Sequence, residues 1–138
     1  MFDHCLYFNT SALARRLDKE WSDAFAPFGL TPPQAFMLRA VLDRPGMLQK
    51  ELSDELFVAK STATRALDFL SVKGYIERRA GAGDAREKCI FPTRKAADIH
   101  TQLNEASGAV TARLKKQLGQ SEFTETVAMI KGVRSTLE

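Results

Sequence analysis

The chain has 138 residues, 44% of them hydrophobic and 27% charged, with a formal net charge of +3. That length suits one domain, or one protomer of an oligomer, with a modest core. A balance so mildly basic does not argue for nucleic acid by itself, because charge placement matters more than the total. No apolar run reaches the roughly 18 residues that a membrane span needs. The N-terminus, MFDHCLYF, lacks a basic region and a small-residue cleavage site, so the expected location is cytoplasmic.

Leu6, Leu13, Leu17, Trp21, Phe25 and Phe28 recur at steps of mostly three, four or seven, which predicts a long first helix ended by Gly29. TPPQ then reads as a helix start: Thr31 caps, Pro32 suits the first turn, and Gln34 stands three residues after the cap. Phe36, Met37, Ala40 and Val41 are its expected buried face, and DRPG closes it. Leu48, Leu52 and Leu56 at four-residue spacing predict a short amphipathic helix. After the connection FVAK comes STATRALDFLSVKG, in which Ala63, Ala66, Leu67 and Leu70 face inward, Ser61 or a neighbour caps, and Gly74 stops the helix. Two short helices joined by a tight turn form a helix-turn-helix pattern.

Beyond Gly74 the period changes. YIERR and EKCIF are strand-like runs flanking the tip AGAGD, which predicts a β-hairpin with a loop longer than two residues. Thr93 then caps a long helix carrying Ile99, Leu103, Ala106, Val110, Leu114 and Leu118 on one face. Gly119 breaks it, and a last helix carries Phe123, Val127, Ile130, Val133 and Leu137. The expected fold is therefore mainly α with a small β-hairpin wing, a winged helix-turn-helix. Residues 31–92 would form the DNA-binding lobe, and residues 1–30 with 93–138 a helical dimerisation region. The long terminal helices hold more apolar surface than the short middle can cover, which argues for a homodimer.

Catalysis finds little support. The chain has no Gly-rich phosphate loop with a following Lys and no nucleophile elbow, and His4 and His100 have no evident partner in sequence. No metal site is expected, since His4 and Cys5 are adjacent and His100 is isolated. No cofactor is implied. Cys5 and Cys89, 84 positions apart, form no disulfide framework and read as free thiols.

Charge placement is more informative. Between Val58 and Lys88 stand Lys60, Arg65, Lys73, Arg78, Arg79, Arg86 and Lys88, against Asp68, Glu77, Asp84 and Glu87. On the second helix of the pair, removing the inward positions leaves Lys60, Ser61, Thr62, Thr64, Arg65 and Asp68. Cations and hydroxyls early in such a helix suit the edges and phosphates of a major groove, although the same composition also suits a solvated face. In the hairpin, Gly81 and Gly83 permit close approach to a duplex, and Arg86 is the cation for a narrow minor groove. Asp84 is expected to pair with Arg78, Arg79 or Arg86 and fix the loop.

The stretches LTPPQAFMLRAVL, KSTATRALDFLSVKGYIERR and DAREKCIFPT resemble, in order, those of the multiple-antibiotic-resistance regulator (MarR) family of bacterial transcription factors. The resemblance implies a homodimer with winged helix-turn-helix lobes hung from terminal helices. It implies binding to pseudopalindromic double-stranded operators and, in many members, release by a small phenolic or aromatic effector. Carried over by position, Ser61, Thr62, Thr64 and Arg65 fall on the recognition helix, and Asp84 and Arg86 on the family's Asp-x-Arg wing motif. Three positions depart from the pattern: Lys88 replaces an apolar residue, Pro92-Thr93 replaces Leu-Thr, and Ala96 replaces Gly.

A peroxide-sensing branch of the family uses a cysteine in the first helix. Ungapped alignment places Tyr7 there instead of Cys5, and Pro32 where that branch has a tyrosine. Cys5 nonetheless stands as the redox candidate if it sits near the positive end of a helix. Tyr7, Trp21 and Phe36 are the expected ligand-pocket walls, with the Trp21 N–H available to orient an aromatic ligand. The expected function is a homodimeric, DNA-binding repressor released by a small molecule. The alternatives are a thiol-based peroxide sensor and a winged-helix protein-interaction module.

Overall fold

The computed structural model describes residues 1–81, 83 and 86–138. Helix α1 runs Leu6–Phe25 and passes through a 3-10 turn, Ala26–Phe28. The backbone then reverses at Gly29, whose φ of 69° is left-handed. Helix α2, Pro32–Asp43, opens on a capping box: the Thr31 side chain meets the backbone of Gln34, and Gln34 Oε1 accepts from the Thr31 N–H at 3.0 Å.

Helix α2 packs against α1 and the elements that follow it, so its buried surface is wider than one stripe. Ala35, Met37, Leu38, Val41 and Leu42 are all buried. Phe36, expected inside, is 39% exposed: one side meets the Phe25 ring edge-on, with 6.0 Å between ring centroids, and the rest borders two clefts.

The first departure in topology comes next. Met47–Leu48 form a short strand, β1, before helix α3, Gln49–Glu55. Leu48 therefore belongs to a sheet, and of the expected four-residue repeat only Leu52 is fully buried. The turn after α3 holds Phe57 at φ 55°, a backbone region rarely occupied by a bulky side chain. The Val58 N–H reaches Ser53 O at 3.1 Å and closes that turn. Helix α4, Lys60–Val72, starts from Ala59 with no side-chain cap, so Ser61 lies inside its first turn and does not cap it.

Gly74 at φ 80° ends α4, and the Tyr75 N–H returns to Leu70 O at 2.9 Å. Strand β2, Ile76–Ala80, pairs antiparallel with β3, Lys88–Pro92, from Ile76 opposite Pro92 to Ala80 opposite Lys88. The hairpin thus keeps a regular register despite Lys88 and Pro92. Pro92, which cannot donate, stands at the strand's end, past the two positions where β3 also pairs with β1. The sheet order is β1-β3-β2. Thr93 then caps α5, Arg94–Leu118: its Oγ1 accepts from the Ala96 N–H at 3.4 Å and donates to Gly74 O at 2.6 Å. Helix α6, Gln120–Leu137, completes the chain.

A single apolar cluster joins α2, α3, α4 and the sheet to the last turns of α1 and the first half of α5, with Phe25, Leu38, Leu52, Leu67, Leu70, Ile90 and Leu103 fully buried. Each such side chain contributes about 1.5–3 kcal/mol through burial. Helix α6, by contrast, buries none of its residues. The architecture is a winged helix with long N- and C-terminal helices, mainly α with a small antiparallel sheet.

Candidate nucleic-acid interface

Helix α4 turns Ala63, Ala66, Leu67 and Leu70 into the core. Its other face exposes Lys60, Ser61, Thr64, Arg65 and Asp68. Thr62 does not join them. It is half-buried and lines an apolar crevice with Pro32, Pro33, Phe36, Met37 and Leu56, nearly opposite Thr64 around the helix.

Thr64 is fixed by two hydrogen bonds. Its hydroxyl donates to Lys60 O at 2.9 Å and accepts from Gln49 Nε2 at 2.8 Å. A threonine has one proton to donate, and that proton is used within the helix.

The wing arginines divide by role. Arg78 donates to Asp68 Oδ1 at 2.6 Å and so ties β2 to α4. Arg79 pairs with Glu77 at 3.1 Å and stacks over the Phe91 ring at 4.3 Å. Arg78 and Arg79 are therefore engaged with acids other than the expected Asp84, which lies outside the described residues. Arg86 is exposed at the wing's turn. With Glu87 and Lys88 it forms one wall of a cleft of about 370 Å³, whose other lining includes Gln49, Lys50, Ser53, Lys60 and Thr64. The fold thus gathers four cations, Lys50, Lys60, Arg86 and Lys88, between the helix-turn-helix and the wing. Sequence reading had not placed Gln49 and Lys50 in this group. Their polarity at the start of α3 is the only local sign, and their position opposite Thr64 depends on the helix-pair geometry.

The expected ligand walls do not converge. Tyr7 is 79% exposed near the start of α1. Trp21 lies 14 residues further, roughly 21 Å along the helix, and its Nε1–H donates to Ser107 Oγ at 3.0 Å. That N–H is already used for packing α1 on α5. Phe36 does line a cavity, in fact two. One is the crevice that contains Thr62, about 320 Å³. The other, about 410 Å³, includes Arg39, Arg44, Glu55, His100 and Asn104. Burial pushes the Arg39 guanidinium below its ordinary pKa, and Arg39 donates to Asn104 Oδ1 at 2.8 Å. Cys5 is the N-cap of α1, exposed, with Sγ accepting from the Phe8 N–H at 3.4 Å. Cys89 is half-buried in β3. Among the described residues no cluster of three His, Cys, Asp or Glu is placed to hold a metal, and no helix is long and apolar enough to cross a membrane.

A sequence profile described as MarR family matches residues 28–87, from the end of the 3-10 turn to the turn that precedes β3. Over 127 residues the chain is 28% identical to the HTH-type transcriptional regulator YybA of Bacillus subtilis, covering 91% of this chain and 84% of that one. Its fold is similar to that of a MarR protein from Peptoclostridium difficile, with a TM-score of 0.86 at 20% identity over 96% of this chain and 86% of the other. Over residues 28–87 the chain matches the MarR family, and its fold is that of MarR-family structures. A MarR variant from E. coli, solved as a complex with operator DNA, matches with a TM-score of 0.85 at 24% identity, covering 96% of this chain and 97% of that one. The family match, with the regulators the chain resembles, supports a DNA-binding transcriptional regulator. In the winged-helix fold α3 and α4 are the helix-turn-helix, and β2 and β3 are the wing.

Proposed function

We propose that this chain is a homodimeric MarR-family repressor that occupies a pseudopalindromic operator and leaves it when a small molecule binds. In this reading residues 31–92 are the DNA-binding lobe, and residues 1–30 with 93–138 the dimerisation region. The observation that carries it is the four-cation cleft between recognition helix and wing. Such an arrangement lets α4 enter a major groove while Arg86 meets the neighbouring minor groove. Arg65 and the Ser61 hydroxyl are the exposed readers early in α4, with Lys60 on phosphate. Arg78 holds the wing against the helix through Asp68, Arg79 braces the hairpin through Glu77 and Phe91, and each meets DNA through its remaining N–H groups.

The dimer is supported by the apolar cleft of about 390 Å³ between the start of α1 and α6, lined by Leu6, Met129, Ile130, Val133 and Leu137. Covering it with a second copy sets two lobes side by side for two half-sites. Release is supported by the crevice at Phe36. Its walls include Thr62 and Ala66 from the back of the recognition helix, so an occupant pushes directly on α4. A ligand shifts the equilibrium only as far as it prefers one arrangement of α4 over the other.

The test is fluorescence anisotropy of a labelled duplex from upstream of this gene, at three salt concentrations, against an unrelated duplex of equal length. Salt-steep binding with a large preference for the upstream duplex supports the reading. Equal, weak binding to both, with little salt dependence, sinks it in favour of a winged helix whose partner is a protein.

A further inference from the structure

We propose that Gln49, at the start of α3 and outside the recognition helix, is a specificity-determining residue that reads an adenine beside Thr64. The inference rests on the DNA-binding reading above and names one base reader within it. Thr64 Oγ1 lies 2.9 Å from Lys60 O and gives its only proton there. Whatever faces Thr64 from Gln49 must therefore donate, which assigns the Gln49 N–H to that contact at 2.8 Å and fixes the amide's orientation. One N–H and the carbonyl Oε1 of Gln49 remain, and among the described residues neither has a hydrogen-bond partner. A side-chain amide with one free donor and one free acceptor complements adenine N7 and N6 in the major groove.

Two further observations put that amide where bases pass. Gln49 and Thr64 line the same cleft as Lys60 and Arg86, so a duplex held by those cations brings its base edges to this pair. Thr64 also stands in the first half of α4, the part of a recognition helix that meets bases. With its hydroxyl occupied on both sides, Thr64 offers its methyl group, an apolar surface suited to the methyl of a thymine. The pair is a fixed unit in which Thr64 positions the reader.

The experiment is selection from a duplex library randomised across each half-site, with the wild type, Gln49→Ala, Thr64→Val and the double variant. Circular dichroism and gel filtration check that each is folded. Gln49→Ala is expected to relax a preference for adenine at one position per half-site by about tenfold, with affinity for unrelated DNA unchanged. Thr64→Val keeps the shape but removes the anchor, so it should relax the same position, and the double variant should lose little more than Gln49→Ala. A uniform loss across all sequences would make Gln49 a phosphate contact and overturn the proposal, as would an unchanged profile. A wild-type protein that selects no sequence fails before any variant is made, and that result removes the operator reading together with this one.

Discussion

The lobe from α2 to β3 and the last helix are written in the same apolar periodicity but end in opposite states. In the lobe, Leu38, Leu52, Leu67 and Ile90 are closed off from water. In α6, Val127, Ile130, Val133 and Leu137 follow an equally regular spacing and all stay exposed. A helical stripe records only that an apolar face exists. Whether that face is core or interface depends on what the chain leaves available to cover it, and here the end of α1 and the first half of α5 complete the lobe's core while no residue of α6 is buried. The comparison predicts two different failures.

The largest effect should come from emptying the lobe. Leu52→Ala is expected to cost about 2–5 kcal/mol of stability, since a fully buried leucine leaves a cavity behind it. Urea unfolding monitored by circular dichroism would show it, and a loss below 1 kcal/mol would contradict the packing described. Val133→Asp should leave the lobe's stability nearly intact and break the proposed homodimer instead. The expected results are a monomer in analytical ultracentrifugation and an operator affinity weaker by about 10²-fold, as two linked half-site contacts become independent. A Val133→Asp protein that remains dimeric would mean that α6 is not the interface.

A smaller effect is expected at the wing. Arg86→Ala should lower operator affinity and reduce the slope of log affinity against log salt by about one, the signature of a single lost phosphate or groove cation. An unchanged slope would remove Arg86 from the interface and leave Lys50, Lys60 and Lys88 as the cations of the cleft.

The difference between these regions also explains what could be read from sequence. Local signals were legible: the Thr31 capping box, the Gly74 stop, the paired helices and the hairpin all depend on residues a few positions apart. What escaped depends on distant partners. Met47–Leu48 becomes a strand only because Ile90 and Cys89 lie opposite it. The Trp21 N–H is consumed by Ser107, 86 residues away. Phe36 faces clefts because neighbours already cover the rest of α2. Within the candidate interface, Lys60, Thr64, Arg65 and Arg86 were legible as exposed polar residues on a helix and a loop. The division of labour was not, because Thr62 turns away from Thr64, and Arg78 answers to Asp68.

The smallest expected effect lies outside both regions, at the seam where Glu20 of α1 meets α5. The Arg16 guanidinium at 2.6 Å, and then Arg113 at 3.4 Å, hold the Glu20 carboxyl below its ordinary value of 4.5, against an opposing push from desolvation. A carboxyl depressed in the folded state contributes stability that is fully present above its unfolded pKa and is lost as pH falls through the lower, folded value. Glu20→Gln removes that charge while keeping the shape. Its thermal midpoint should therefore fall slightly below the wild type at neutral pH, and the gap should close as the solution is acidified below 4.5. Added salt should narrow the gap as well, since the pair is partly exposed and screened. Thermal melts of both proteins along a pH series would decide it. A gap that stays constant with pH would show that Glu20 acts through packing against α5, and that its charge does not help hold the two helices together.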